Sequence, residues 1–444
     1  MNPGALQPKK EALTEQVHAA FQQFEIYPVE SRQGPQQLEI RTVRRGLAPP
    51  DTSGVRVVTL VKDKDGILRW SDGAVPAQPA MKRAGLRSLF GGEPVTTMKL
   101  APMDKNRIAE ELENLDKGFK KCEPNNSSTL RAVRSRALTD PGVQPATQRA
   151  KDKKGILLFV HGTFSNNENL ISELVQSQSG CDFLDAAEDC FTQVLAFDHY
   201  TLSRSPVLNA LELSRMLAST TIPIDIVCHS RGGLVTRWFF EVMDRVANRP
   251  RRAALVGCPL GGTSLAAPDK LRSAIDLFTN IGSAIGGGVS LVPFLSAAGA
   301  LMKICFSVAK AAANTPIIDA GVAMIPGLSG QSRVTNSFEL HALNAPPNPA
   351  PDYYAVTSTF RPADPGWKFW RLFCDWTQAA SLGVSPIFQE ENDLVVDTTS
   401  MTEFTAAGLK AVAVEPFGPD DHVYHTVYFR NDRTIAFIRK SFGI

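Results

Sequence analysis

The sequence predicts an α/β protein: a mostly parallel sheet with helices on both faces, interrupted by a helical cap insertion and preceded by a small β-containing unit. Three observations predict it. Apolar runs short enough to be buried strands recur at 154–160, 222–226, 253–259 and 353–357. One of them runs through a sharp turn directly into a helical stretch at 234–240, as a strand–turn–helix unit does. The chain is 444 residues long and 43% hydrophobic, which supports a large core and more than one typical domain.

The turn after 222–226 reads Val227-Cys228-His229-Ser230-Arg231-Gly232-Gly233. A serine at the apex of a strand–turn–helix unit is the arrangement of a nucleophile elbow. The strained turn lifts the hydroxyl clear of the sheet, and the helix N-terminus behind it offers backbone N–H groups to a developing negative charge. Strand and helix pass closely there, which calls for small residues two before and two after the serine. Gly232 meets that demand, whereas Cys228 stands where glycine is usual. An incidental serine in an ordinary turn is the alternative, so the companions of the motif decide.

Those companions appear in a fixed order. Strand 154–160 runs into His161-Gly162-Thr163-Phe164-Ser165; Asn392-Asp393-Leu394-Val395-Val396-Asp397 follows strand 353–357; His422 and His425 precede a final helix over 432–442. With HGTFS, CHSRGG, GCPLGGTSLA, NDLVVD and HTVYF in this sequence, the chain resembles the lipase-like serine hydrolases of the α/β-hydrolase superfamily. The resemblance covers about residues 151–444 and does not extend to the first 150. It implies a Ser…Asp…His triad in that chain order. The nucleophile is then Ser230, and the oxyanion donors are the backbone N–H groups of Arg231 and of Thr163 or Phe164. Asp393 is the expected acid, although Leu394 replaces the family's usual glycine; Asp397 is its rival, with a helix N-cap as its alternative role. His425 is the expected base and His422 its rival. His229 is expected to pack under the elbow.

Each residue type has a chemical reason. A serine hydroxyl is a weak nucleophile at neutral pH, so an imidazole takes its proton and later returns it to the leaving group. A carboxylate fixes the imidazole tautomer and stabilises its cation. An oxyanion donor is worth about 3–4 kcal/mol of barrier. None of this requires a metal or cofactor, and the seven histidines and seven cysteines lack zinc-type spacing, so neither is expected.

Charge excludes little beyond nucleic acid. The net charge is only +2, although residues 1–150 hold 23 basic and 17 acidic side chains. The odd, scattered cysteines favour reduced thiols, and 1–16 lacks the apolar stretch of a secretory signal, so a cytoplasmic location is expected. Residues 38–43 and 55–61 read as strands, the latter entering a hairpin through 62–66, and 107–121 reads as a charged amphipathic helix. This gives an accessory domain over 1–121, a polar, Pro-containing linker over 122–153, and a catalytic domain over 154–444.

The cap is placed at about 264–335. Its stretch 281–302 carries no charge and is long enough to span a bilayer, but Gly286-Gly287-Gly288 and Pro293 weaken a single helix. A lid over the site is the expectation, with a membrane-inserting hairpin as the rival. A lid that turns its apolar face outward at a lipid surface predicts preference for medium- or long-chain esters and higher activity on aggregated substrate. The functional expectation is an acyl-ester or lipid hydrolase working through an acyl-enzyme. Acyl transfer or amide hydrolysis by the same groups, or a non-catalytic scaffold binding a membrane or protein, are the alternatives.

Overall fold

The apolar runs become the strands of an eight-stranded sheet. In this computed structural model the described residues are 10–29, 55–72, 92–119 apart from 102, 105 and 106, 128–246, 249–267, 270–285, 291–311, 325–333, 338–343, 351–362, 367–375, 386–404 and 409–444. The expected strand at 38–43 lies outside them. In chain order the sheet uses β5 (Thr129–Arg134), β6 (Ala137–Leu138), β7 (Lys154–Val160), β8 (Phe191–Asp198), β9 (Ile224–His229), β10 (Arg251–Val256), β11 (Asp352–Ser358) and β12 (Ala413–Phe417). Across the sheet they run β12-β11-β10-β9-β7-β8-β5-β6, and the six strands from β12 to β8 are parallel.

The pleat explains why these runs are apolar throughout. Ile156 through Val160 have no exposed surface. Ile156, Leu158 and Val160 join a core with α5 (Pro206–Met216) and α6 (Gly232–Trp238) on one face. Leu157 and Phe159 join a second core with α3 (Asn167–Leu174), α4 (Gln178–Cys190) and the final helix Asp432–Phe442 on the other. A strand covered on both faces has no position for a polar residue. The chain winds from β7 outward to β8, then crosses back to β9 on the far side of β7. Such a switch point leaves a crevice at the carboxyl ends of the strands, and this is where the candidate residues fall.

The expected linker needs correction. Within 122–153, Thr129–Arg134 is a strand pairing antiparallel to β8, with Leu130 opposite Phe197 and Ala132 opposite Leu195. The sheet therefore starts at Thr129 and not at Lys154. Arg131 made the segment read as polar, yet it is buried beside Glu168 at 3.3 Å and Asp198 at 3.6 Å, which compensates its charge.

The first 120 residues contribute α1 (Lys10–Gln22), β1 (Ile26–Pro28), β2 (Arg56–Lys62), β3 (Leu68–Asp72), β4 (Glu93–Leu100) and α2 (Ile108–Phe119). The strands form an antiparallel sheet ordered β1-β4-β2-β3. This sheet does not stand apart. Phe21, Phe24, Leu60 and Trp70 share one hydrophobic core with Leu277 and Ile281 of α7 (Leu271–Ile285) and Leu301 of α8 (Leu291–Ala311), the two cap helices. Asn280 of α7 accepts from the Leu68 N–H at 2.9 Å and donates to its carbonyl at 2.7 Å. Trp70 donates its backbone N–H to Asp276 and its indole N–H to Thr279, each at 2.9 Å. Gln23 donates to Ser296 of α8 at 2.7 Å. The apolar surface of the cap is thus buried on two sides, toward the crevice and beneath the amino-terminal sheet. Among the described residues no helix is long and apolar enough to cross a membrane.

Candidate active site

Ser230 sits at the turn between β9 and α6 with φ +53°, a left-handed conformation rare for a side chain bearing Cβ. Its N–H donates to the Val256 carbonyl of β10 at 3.0 Å, which anchors the turn to the sheet. Two glycines make the close passage. A Cβ on Gly232 would lie 2.5 Å from the Val160 carbonyl oxygen, and one on Gly162 would lie 2.7 Å from Ser230 Cβ. Cys228 is tolerated in the usual glycine position because its thiol lies in a buried space beside Cys258, 4.0 Å between sulfurs.

The structure brings Asp393 and His425 together. Asp393 Oδ2 accepts from His425 Nδ1 at 2.8 Å and from the Tyr428 hydroxyl at 2.8 Å. Its Oδ1 accepts from the N–H groups of Val395 at 3.1 Å and Val396 at 2.8 Å. Its backbone carbonyl accepts from the His425 N–H at 3.0 Å, so the two residues are joined through both main chain and side chain. Burial, then the Asp393 charge, pushes the Tyr428 hydroxyl well up, so it remains a donor to the carboxylate. His229 lies beside this pair with its ring 4.6 Å from that of His425 and donates Nε2–H to the His425 carbonyl at 2.8 Å. Burial, and secondly the charge on His425, pushes His229 down to about 3, so it stays neutral and serves as a brace.

The rival residues are elsewhere. Asp397 accepts from the Ser264 N–H and hydroxyl, both at 2.8 Å, holding the turn that leads into the cap. It is a capping residue, but of the turn at Ser264 and not of the segment after Thr398. His422 is exposed, with φ +54°, and closes the polar turn Pro419–Asp421. Leu394 adopts φ +83°, the conformation for which the family pattern keeps glycine. The leucine is retained where it is costly to the backbone because its side chain is wholly buried in the core shared with the cap.

The loop after β7 carries Thr163 and Phe164. The Phe164 N–H donates to the Thr201 hydroxyl at 3.4 Å. That hydroxyl in turn donates to Asp116 Oδ1 at 3.2 Å, so its lone pair is directed to Phe164. Asp116 also accepts from the N–H groups of Thr201 at 2.7 Å, Leu202 at 2.9 Å and Ser203 at 2.8 Å, and from the Ser203 hydroxyl at 2.7 Å. Thr163 Oγ1 accepts from Gln331, beyond the cap helices, at 2.9 Å. The Arg231 side chain turns away from the crevice and is buried, donating to Arg204 O at 2.6 Å and Asn209 at 2.7 Å. Burial lowers it to about 10, and it remains charged.

Asp116, Thr201, Tyr428 and Gln331 were not visible as site residues in the sequence. Asp116 alone left a signal: with Leu112, Leu115 and Phe119 it occupies the buried stripe of α2, where an acid is out of place. Ser230, His425, His229, Thr163 and Phe164 all face one cavity of about 110 Å³. The cap supplies one wall through Leu271, Phe278, Phe294, Ala297 and Leu301. Phe164 links that wall to the amino-terminal unit, its ring 5.5 Å from Phe119 and 6.4 Å from Phe278.

The chain belongs to the family described as Domain of unknown function (DUF7379), which matches residues 126–443. No curated protein matches the chain. Among solved structures it is similar to the mature form of lipase BlEst2 from Bacillus licheniformis, at 12% identity over 67% of this chain and 95% of that one, with a TM-score of 0.37. It is also similar to lipase 1 from Pelosinus fermentans, at 12% identity over 65% and 97% of the two chains, TM-score 0.38. A metagenomic carboxyl esterase matches at 13% identity over 70% and 82%, TM-score 0.35.

Proposed function

We propose that this member of the DUF7379 family is a serine hydrolase that cleaves carboxylic esters, with Ser230 as nucleophile, His425 as general base and Asp393 as the acid that orients it. One observation carries the reading: the His425 imidazole lines one cavity with a serine at φ +53° and is bonded at 2.8 Å to the buried Asp393 carboxylate behind it, which further hydrogen bonds hold in place. A structural serine has no need of such a turn, and strain of this kind collects at working sites. In the reaction His425 takes the Ser230 proton as Oγ attacks the acyl carbon. The imidazolium is stabilised by Asp393, and the same proton passes to the departing alkoxide. Water then attacks the acyl-enzyme with His425 again as base. The developing oxyanion is served by the Arg231 N–H and, in preference to Phe164, by the Thr163 N–H, since the Phe164 N–H is committed to Thr201.

The acyl group lies against the cap wall of Leu271, Phe278, Phe294 and Leu301. With the outer side of α7 and α8 sealed by the amino-terminal sheet, the cap acts as a fixed wall, and no rise in activity is expected as substrate passes from monomer to aggregate. The same acyl-enzyme serves acyl transfer or amide cleavage, which ester and amide panels with added alcohol acceptors separate. The decisive experiment is labelling with a fluorophosphonate. Wild type is expected to be modified at Ser230, and Ser230→Ala to lose labelling and about 10³-fold or more of its turnover while staying folded. Labelling of folded Ser230→Ala at the wild-type rate removes the reading.

A further inference from the structure

Asp393 Oδ2 carries two hydrogen bonds, and only one of them comes from the imidazole. His425 Nδ1 and the Tyr428 hydroxyl both reach that oxygen at 2.8 Å, while Oδ1 is occupied by the N–H groups of Val395 and Val396. The Met401 sulfur lies 3.7 Å from the same hydroxyl and is a far weaker acceptor than a carboxylate, so the phenolic proton goes to Asp393. Burial, then the Asp393 charge, keeps that proton in place. A donor draws negative charge toward itself, so an oxygen shared by two donors is a weaker partner for each.

The surroundings hold the phenol at this point. Tyr428 is wholly buried, with its ring edge-on to those of His229 at 6.3 Å and His425 at 6.4 Å. Gly257, just past β10, makes the room: its φ is +56°, and a Cβ there would lie 2.6 Å from Tyr428 Cε2 and 3.3 Å from Asp393 Oδ2. The turn Tyr428–Arg430 is fastened to α3 by the pairing of Arg430 Nη2 with Glu173 at 2.5 Å. Tyr428 is not among the residues that line the cavity, so it acts on Asp393 and not on a substrate.

From this shared oxygen we infer that Tyr428 is a positioning residue that limits the strength of the base. It fixes the Asp393 carboxylate through Oδ2 and takes up part of the charge that otherwise stabilises the His425 imidazolium. The inference rests on the serine-hydrolase reading and deepens it. Once His425 has taken the Ser230 proton, the charge left on Asp393 governs how readily that proton passes on to the leaving group. The other titratable groups around His425 are set by contacts that do not involve the Tyr428 hydroxyl. His229 is held neutral by burial, Glu173 is paired with Arg430, and His161 Nε2 accepts the His199 N–H at 3.2 Å. Tyr424, next to the base, is pushed up to about 12, first by burial.

The test reads the base without a natural substrate. The rate constant for fluorophosphonate labelling of the full-length protein is measured from about pH 4 to about pH 9, the range in which a histidine base titrates. In labelling, the Ser230 Oγ–phosphorus bond forms, fluoride leaves and His425 takes the proton, so the rate is expected to rise through an inflection on the acid side. Tyr428→Phe leaves more charge on Asp393 and is expected to move that inflection upward by at least about 0.5 pH unit. Replacement of Tyr428 by 3-fluorotyrosine, whose phenol is more acidic and a better donor, is expected to move it downward. A role confined to packing would lower the labelled fraction and leave the inflection in place. Should Tyr428→Phe fail to fold, the fluorotyrosine protein keeps the hydroxyl and still reports. An unmoved inflection in either folded variant, or shifts of the same sign in both, overturns the role of Tyr428 while leaving the hydrolase reading intact. A wild-type protein that is not labelled at any pH removes both.

Discussion

The carboxyl-terminal sheet and the amino-terminal unit hold the same cavity by different means. In the sheet, the candidate residues are placed by backbone: Ser230, Asp393 and His425 sit on short connections whose N–H and carbonyl groups are bonded to β10 or to each other. In the amino-terminal unit and cap, walls are placed by side chains: one hydrophobic core spans Phe24, Trp70, Phe278 and Leu301, with a few polar anchors such as Asn280 and Asp116. Backbone placement is stiff and local. Side-chain placement depends on partners hundreds of residues away, and the described part of the amino-terminal third packs behind the cavity walls through them.

That contrast predicts where damage is largest. Asp393→Asn is expected to cut kcat by about 10³–10⁴-fold with little loss of stability, since it disturbs the imidazole tautomer within an intact framework. Its effect should not add to that of Ser230→Ala, because the groups act as a unit. Asp397→Asn is expected to act mainly on stability through the Ser264 turn. Steady-state kinetics of the two variants side by side decides: a larger kcat loss for Asp397→Asn would move the acid to that position.

The amino-terminal contribution is tested at Asp116. Asp116→Ala leaves the buried N–H groups of Thr201 and Leu202 and the half-buried one of Ser203 without their acceptor and is expected to cost about 3 kcal/mol by urea unfolding. Through Thr201 and the Phe164 N–H it should also lower kcat beyond what the folded fraction accounts for. Full kcat in the folded variant would show that the two regions meet without cooperating in catalysis.

Leu394 lies where the two regions meet. Glycine there relieves a left-handed leucine, worth about 1–2 kcal/mol. It also removes a wholly buried side chain from the shared core, a loss of about 2–5 kcal/mol. Leu394→Gly is therefore expected to be less stable by up to about 4 kcal/mol, centred near about 2 kcal/mol, and a more stable variant would show that backbone strain outweighs packing at this seam.

The smallest effect concerns pH at Asp276. Its carboxyl is pushed up to about 7 from 3.8, first by burial, while the Trp70 N–H and the charges of Arg69 and Arg272 pull it down only in part. The native state then binds the proton more tightly than the unfolded chain, so this group's contribution to stability falls as pH rises from about 4 through about 7. Asp276→Asn keeps an acceptor for Trp70 and removes the charge. Relative to wild type its melting temperature should rise more at pH 8 than at pH 5; equal shifts would show that the carboxyl is not buried against the amino-terminal sheet.

Much of the candidate site was legible in the sequence. The elbow, the glycine loop and the acid and base segments are each within a few residues of sequence, and their spacing reflects local geometry that a turn imposes. Gly162 and Gly232 read as glycines because no Cβ fits between strand, serine and helix. The continuous apolar runs announced strands covered on both faces, since periodicity and burial are properties of one segment. The sequence favoured Asp393 over Asp397 and His425 over His422 by motif and position alone; the 2.8 Å pairing of Asp393 with His425 belongs only to the folded chain, because the members of each pair of candidates lie within a few residues of each other. Strand Thr129–Arg134 was hidden by Arg131, whose charge is matched by acids distant in sequence. The union of the amino-terminal sheet with the cap was hidden for the same reason: Trp70 meets Thr279 across more than two hundred residues. Sequence by itself determined the local devices and their order. Tertiary structure alone decided which surfaces cover one another, because burial is a relation between segments and leaves no pattern within either.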